Sequence, residues 1–280
     1  MSPNQLSEEI EKLLTDDLYE RQLTAIQSGI YTQILSEVKK LELDKDGLIK
    51  QNQSNRKTLT KLNLLIDKSV RQSGLKKSTE KQVRKITKID ALNKEYFDSF
   101  DEFKPNRNYI SSLQKQTIKE VSDYILKDGA QANFVSPLKQ IMNRNVNSGG
   151  SYSGFLDELK TFIKGDGTQG QMVKYANTWT RDTLFNYARS YQQSVVSDLG
   201  LVWYRYSGGL IKDSRDFCIQ RAGQYFHESE IKSWAGLNWA GKRAGTTESS
   251  IFVFCGGWNC YHQLIPVSDL VIPKAVRDRI

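Results

Sequence analysis

The hydrophobic period of this chain changes once, at Gly200, and that change limits the folds open to it. Ahead of Gly200 the apolar residues recur at the three- and four-residue steps of amphipathic helices. Such stripes predict helices over residues 7–43, 58–73 and 78–103. A further helix over 110–125 is expected to stop at "KDGA", followed by a short one over 134–142 with Pro137 near its start. Another over 155–163 ends at "GDGTQG", and the longest runs from Met172 to Leu199, with Gly200 where a helix stop belongs.

After Gly200 the stretch "LVWYRYSGG" is aromatic and β-branched and closes on a Gly-Gly turn, which predicts a strand. "DSRDFCIQRAG" suits a helical turn capped by Asp213 or Ser214, with Arg215 paired to Asp213 or Asp216, and "EIKSWAGL" a short helix. "SIFVFCGG" and "YHQLIPV" suit two short strands joined by "CGGWNCYH". Trp203, Trp234, Trp239 and Trp258 are expected in the core. The fold class that follows is α+β: a mainly α-helical N-terminal part with a small C-terminal α+β domain containing a short antiparallel sheet. The expected domains are an elongated basic helical region over 1–105 and a second domain over 106–280. The second comprises helices over 106–200 and a small α+β module over 201–270.

Composition narrows the function classes. Hydrophobic residues make up 38% of the chain and mean hydropathy is −0.55, polar for a globular protein but too apolar for general disorder. No run approaches the ~18 apolar residues of a membrane span, and the acidic start "MSPNQLSEEIEKLL" does not resemble a signal peptide. Synthesis and folding in a cytoplasm are expected. The chain carries a net charge of +8, and between Lys50 and Lys88 twelve basic residues face only Asp67 and Glu80. Arg56, Lys57, Lys61, Arg71, Lys76, Lys77, Lys81, Arg84, Lys85 and Lys88 are therefore candidate contacts to nucleic acid or another polyanion. A solvated helical face is the plainer explanation of the same charges.

All three cysteines and both histidines lie between Cys218 and His262. Zinc takes four ligands from thiolate and imidazole, and Cys218, Cys255, Cys260 and His262 form a Cys₃His candidate set for a structural ion. In a strand, Cys260 and His262 would share one face. The four-residue gap from Cys255 to Cys260 is wider than a zinc knuckle, and buried cysteines packing as small hydrophobes account for the same residues. A thiol–imidazole reaction centre would need the two groups to meet in space, which spacing alone does not establish.

Residues 175–268 resemble the minor head protein family of tailed phages, the group named for the F protein of phage Mu. Three stretches carry the resemblance in order: "TRDTLFNYARSY" (180–191), "GGLIKDSRDFCIQRAGQYF" (208–226) and "GGWNCYHQLIPVS" (256–268). The sequence departs from the family at Tyr261, where Arg is common between the last Cys and His. The resemblance implies a structural, non-enzymatic virion component that acts in head assembly near the portal, in multiple copies. The implied partners are the portal or major capsid protein, and packaged DNA through the basic helices. It implies residence in the virion head or at the portal vertex, after assembly in the host cytoplasm. Some relatives carry a toxin or enzyme domain after this module; with about a dozen residues past the motif, none is expected here. The alternative is a virion-packaged enzyme such as a metal-dependent nuclease, to which two histidines offer few bases.

Overall fold

The structure, a computed structural model, describes residues 1–100 and 103–280. In chain order it comprises α1 (Pro3–Leu14), α2 (Leu18–Val38), α3 (Gln53–Gln72), α4 (Leu75–Val83), α5 (Ile86–Phe97), α6 (Arg107–Asp123), α7 (Ser136–Ser148), α8 (Tyr152–Lys164) and α9 (Gln171–Leu199). Then follow β1 (Trp203–Ser207), α10 (Asp216–Ile219), β2 (Tyr225–His227), α11 (Glu228–Ser233), α12 (Ile251–Phe254), β3 (Gln263–Val267) and α13 (Lys274–Arg277). The three strands form an antiparallel sheet in the order β2-β1-β3, with Trp203 opposite both His227 and Val267. The fold is thus mainly helical α+β with a short antiparallel sheet near the C-terminus, as the change of period at Gly200 predicts.

The compact units do not part at residue 105. One is drawn from Met1–Asp16, Val83–Ile118 and Arg181–Ile280, the other from Asp17–Gln82 and Lys119–Thr180. The reason lies in α1 and α5. Leu6, Ile10 and Leu14 of α1, and Ile86, Ile89, Tyr96 and Phe97 of α5, share a core with Leu184, Tyr187 and Tyr191 of α9 and Ile265 of β3. Buried polar groups fasten the same elements. Tyr96 donates to the carbonyl of Pro266 at 2.6 Å, and Gln263 donates to Ser7 at 3.3 Å while accepting from Gln192 at 3.0 Å. The sheet is therefore completed by helices from the far end of the sequence.

In the other unit α2, α3, α7 and α8 pack together around Ile30, Ile34, Leu62, Ile66, Leu138, Met142, Phe155 and Leu159, all buried. Asn55 ties the turn before α3, donating to the carbonyls of Glu42 and Lys50 and accepting from the Glu42 amide.

Several local expectations are corrected. The helix over 7–43 is two helices broken near Thr15, and its first cap is Ser2, in a capping box with Gln5. The helix expected over 78–103 is α4 followed by α5, and its last stretch includes Asp101 and Glu102, which lie outside the described residues. "KDGA" does not stop a helix. Instead α6 passes into two π-helical turns, Tyr124–Asp128 and Gln131–Val135, and on into α7. Pro137 has no amide to give to a carbonyl one turn back, and the wider π turn just ahead absorbs that loss. "SIFVF" is not a strand: Ile251–Phe254 is a helical turn, so "CGGWNCYH" links a helix to β3 rather than two strands.

Candidate metal centre

The "CGGWNCYH" loop lies against a core of Tyr204, Tyr206, Phe217, Cys218, Ile231, Trp234, Phe252 and Leu264, which also holds Cys255 and Cys260. Its backbone is held from two sides by charged groups. From α9, Asp182 accepts the Asn259 amide at 3.1 Å, and Arg189 donates to the carbonyls of Val253 (3.1 Å), Cys260 (2.6 Å) and His262 (2.7 Å). Arg189 is 1% exposed, and its charge is met by these carbonyl dipoles together with the Asn186 side chain, the Phe185 ring and the nearby Asp182 carboxylate. From the turn before α10, Arg215 donates to the carbonyls of Gly256 and Trp258, and Trp239 Nε1 donates to Gly256 at 2.9 Å. Arg215 thus holds the loop's backbone and not Asp213 or Asp216, and α10 has no side-chain cap. Burial pushes the Asp182 carboxyl up, while the Asn259 amide and then Arg243, 3.4 Å away, draw it down.

Cys218, Cys260 and His262 are brought together. Their ligand atoms lie within 4.8 Å of one another and all three residues are buried. This group could hold one metal ion. The Nδ1 of His262 is 3.8 Å from Cys260 Sγ, close to the ~3.5 Å separation of N and S donors on a zinc tetrahedron with Zn–S ~2.3 Å and Zn–N ~2.0 Å. Among the described residues its Nε2 is buried without a hydrogen-bond partner, and the ring stacks on Tyr206 with centroids 5.0 Å apart. Neither ring nitrogen is committed to a carboxylate or a carbonyl, so the imidazole is open to ligation. Tyr206, fully buried, donates its hydroxyl to Cys218 Sγ at 3.3 Å.

Cys255 falls outside that mutual group, but its thiol hydrogen-bonds Cys260. It closes α12 with φ 50° and ψ −124°, a conformation that costs a non-glycine residue on the order of 1–3 kcal/mol. The next residue must be small. A Cβ on Gly256 would lie 2.6 Å from Cys260 Sγ and 2.7 Å from Cys218 Sγ, so the backbone itself forms one wall of the thiol cradle. The hydrogen bonds that Cys260 receives from Cys218 and Cys255 pull its thiol well below the ordinary value. Cys218 is pushed up, first by that bond and then by burial, and Cys255 is pushed up first by burial.

His227 stands apart from this group. It caps α11, with Nδ1 accepting the Ser229 amide at 3.3 Å and its own amide donating to Glu230 at 2.9 Å. Tyr261, which replaces the resembled family's Arg, stacks on Phe185 at 5.4 Å and accepts a hydrogen bond from Arg181 of α9. Trp203 and Trp234 are in the core and Trp239 is half-buried. Trp258 is 40% exposed, with the Arg243 guanidinium 4.3 Å above its ring. Sequence reasoning gave no role to Asp182 or Arg189. Their signal was present: two charged residues beside Leu184, Tyr187, Ala188 and Tyr191 on the buried stripe of α9.

The basic candidates divide. Arg56, Lys57, Lys61, Arg71, Lys76, Lys77, Lys81, Arg84 and Lys88 are all exposed. Lys85 differs from the rest: it is half-buried, donating to the Leu13 carbonyl at 2.7 Å and pairing with Asp16 at 2.6 Å. Burial draws its ammonium down despite the carboxylate beside it. Lys76 faces Glu80 at 3.9 Å. No helix of the described residues is long and apolar enough to cross a membrane. Comparison with protein-family models, with curated proteins and with solved structures finds no match in any of the three.

Proposed function

We propose that this chain is a structural minor head protein of a tailed phage whose C-terminal α+β part is locked by a zinc ion. The observation that carries this reading is convergence. The three stretches that resemble the family meet around one buried loop: the first supplies Asp182 and Arg189, the second Cys218 and Arg215, the third Cys260 and His262. Residues shared with a family but scattered over some eighty positions have one physical task in common here, the fixing of residues 253–262.

Cys218, Cys260 and His262 hold the metal, and Cys255, a free thiol hydrogen-bonded to Cys260, takes the fourth position. The gap left by Gly256 and the uncommitted imidazole of His262 are what such an ion requires. The ion's role is to hold shape. Exposures of 2%, 3% and 4% at Cys218, Cys260 and His262 leave a substrate no approach, which favours the structural role over metal-assisted hydrolysis. In the particle this part docks at the portal vertex or the inner face of the capsid shell.

Two measurements test the reading separately. Metal analysis of the purified full chain should give one zinc per chain, lost in Cys218→Ser and Cys260→Ser; a metal-free, fully stable chain overturns the zinc. Density for the chain beside the portal or inside the shell of intact particles is the expected location, and its absence from particles overturns the virion role.

A further inference from the structure

We propose that the solvent face of α3 is a binding strip for the sugar-phosphate backbone of double-stranded DNA, read without regard to sequence. It stands on residues of the helical unit formed by 17–82 and 119–180, independently of the Cys/His centre.

α3 buries Asn55, Thr58, Leu59, Leu62, Ile66 and Ser69 on one side. At 3.6 residues per turn, Lys57, Lys61, Leu64, Lys68 and Arg71 fall within about 80° of arc on the opposite side. All five are exposed. They follow one another at steps of four, three, four and three residues, a straight stripe about 21 Å long at 1.5 Å per residue. That length matches about six base steps of one strand at 3.4 Å each.

Three features make the stripe a site for an external anion. First, among the described residues Lys57, Lys61, Lys68 and Arg71 make no ion pair with the protein's own acids. The two acids between residues 50 and 82 are engaged elsewhere, Asp67 with Lys139 at 2.7 Å and Glu80 with Lys76 at 3.9 Å. Four cations therefore stand along one line with no internal counter-charge, and a polyanion supplies one while releasing its condensed counterions. Second, α3 contains no aromatic residue. Single-stranded nucleic acid is held by bases stacked on aromatic rings, so this face suits a duplex, whose bases are already stacked. Third, the stripe offers three lysine ammonium groups and the Arg71 guanidinium on long stems, and no Asn or Gln between them shares its face to read base edges, since Asn63 lies off the stripe and donates to Asn143, so the contacts are to phosphate and carry no sequence information.

The test uses the full chain and a random-sequence 20-base-pair duplex, with affinity measured from 50 to 200 mM salt. Four phosphate contacts give a slope of log K against log salt of about −3.6, a loss of roughly 100-fold over that range. The stripe variant Lys57→Gln/Lys61→Gln/Lys68→Gln/Arg71→Gln should abolish most of that slope and weaken binding at 50 mM at least tenfold. The control Lys39→Gln/Lys45→Gln/Lys160→Gln/Lys174→Gln removes the same charge from other exposed positions and should shift the slope by less than one. Leu64→Ala should leave DNA affinity within twofold. Equal weakening by the control, an unchanged slope in the stripe variant, tighter binding of a single strand of the same length, or loss of binding in Leu64→Ala would each overturn the proposal. All these substitutions fall on exposed side chains, and an unchanged circular dichroism spectrum establishes that the variants remain folded.

Discussion

Arg189 Nη2 donates to the carbonyl oxygens of both Cys260 and His262, at 2.6 and 2.7 Å, so one buried guanidinium fixes the backbone on either side of Tyr261. Its Nε adds a second contact to His262 at 3.1 Å and Nη1 reaches Val253 at 3.1 Å. Removing it leaves three buried carbonyls short of a donor. With each charge-assisted bond contributing roughly 1.5–3 kcal/mol and the set less than additive, Arg189→Met should lower stability by about 3–5 kcal/mol. Arg189→Lys should recover only part of that, because an ammonium cannot span the same carbonyls in a planar fork. Urea unfolding of the two variants checks the order.

Gly256→Ala separates the metal from the packing. The added Cβ meets Cys260 Sγ and Cys218 Sγ at 2.6 and 2.7 Å, below any contact a methyl group tolerates. The thiols must part, so at the proposed zinc site the variant should take up far less metal than the parent chain and lose the thiolate-to-metal absorption of a cobalt-substituted sample. Gly236→Ala, a glycine whose added Cβ meets nothing, should keep both.

The fold was legible where a signal was long or rigid. The stripe of α9 runs for 29 residues, Gly200 ends it at φ 60°, and the aromatic run of β1 follows at once. Short segments failed because the nearest side chains decide them. Ile251–Phe254 has the residue types of a strand, yet Thr247 and Ser250 exchange side-chain-to-amide hydrogen bonds at 3.1 and 2.8 Å and start a helical turn instead. That T-x-x-S spacing was visible in the sequence and carried the correct answer. For the candidate site, clustering of all Cys and His after residue 217 drew attention to the residues that the structure brings together, but which three would meet was a matter of loop geometry. Cys255 and Cys260 look equivalent by spacing and differ because the chain turns between them through left-handed backbone at Cys255, Gly257 and Asn259. The clamps Asp182 and Arg189 lie some seventy residues from the loop they hold, a distance no local pattern spans.

Stability should fall as pH rises near Asp90. This half-buried carboxylate accepts hydrogen bonds from Tyr187 and Gln114, but burial outweighs both and pushes its carboxyl above the ordinary value of 3.8. The folded chain therefore holds that proton more tightly than the unfolded chain. The stability it contributes is full below pH 3.8 and is lost as pH climbs through the raised folded value. Asp90→Asn keeps an acceptor for Tyr187 and removes the buried charge. Its urea midpoint should match the parent protein's in acid and exceed it above that window, the gap levelling off by neutral pH.

Gly129 sits where the first π turn closes, its amide donating to the carbonyl of Tyr124 five residues back. A Cβ there would lie 2.4 Å from that same carbonyl oxygen and 2.7 Å from the Tyr124 ring. The ring has little room to retreat, since it stacks on Trp179 with centroids 3.9 Å apart. Gly129→Ala would raise helix propensity by about 1 kcal/mol in an ordinary α-helix. In this π turn the clash should reverse the sign and destabilise the protein by about 1–3 kcal/mol, the cost of forcing atoms into a packed site. Gly29→Ala in α2 gives the comparison: nothing lies within 4 Å of its added Cβ, so it should stabilise. Thermal melts of the two variants should therefore move in opposite directions, and a stabilised Gly129→Ala would mean that the segment is a regular α-helix in solution.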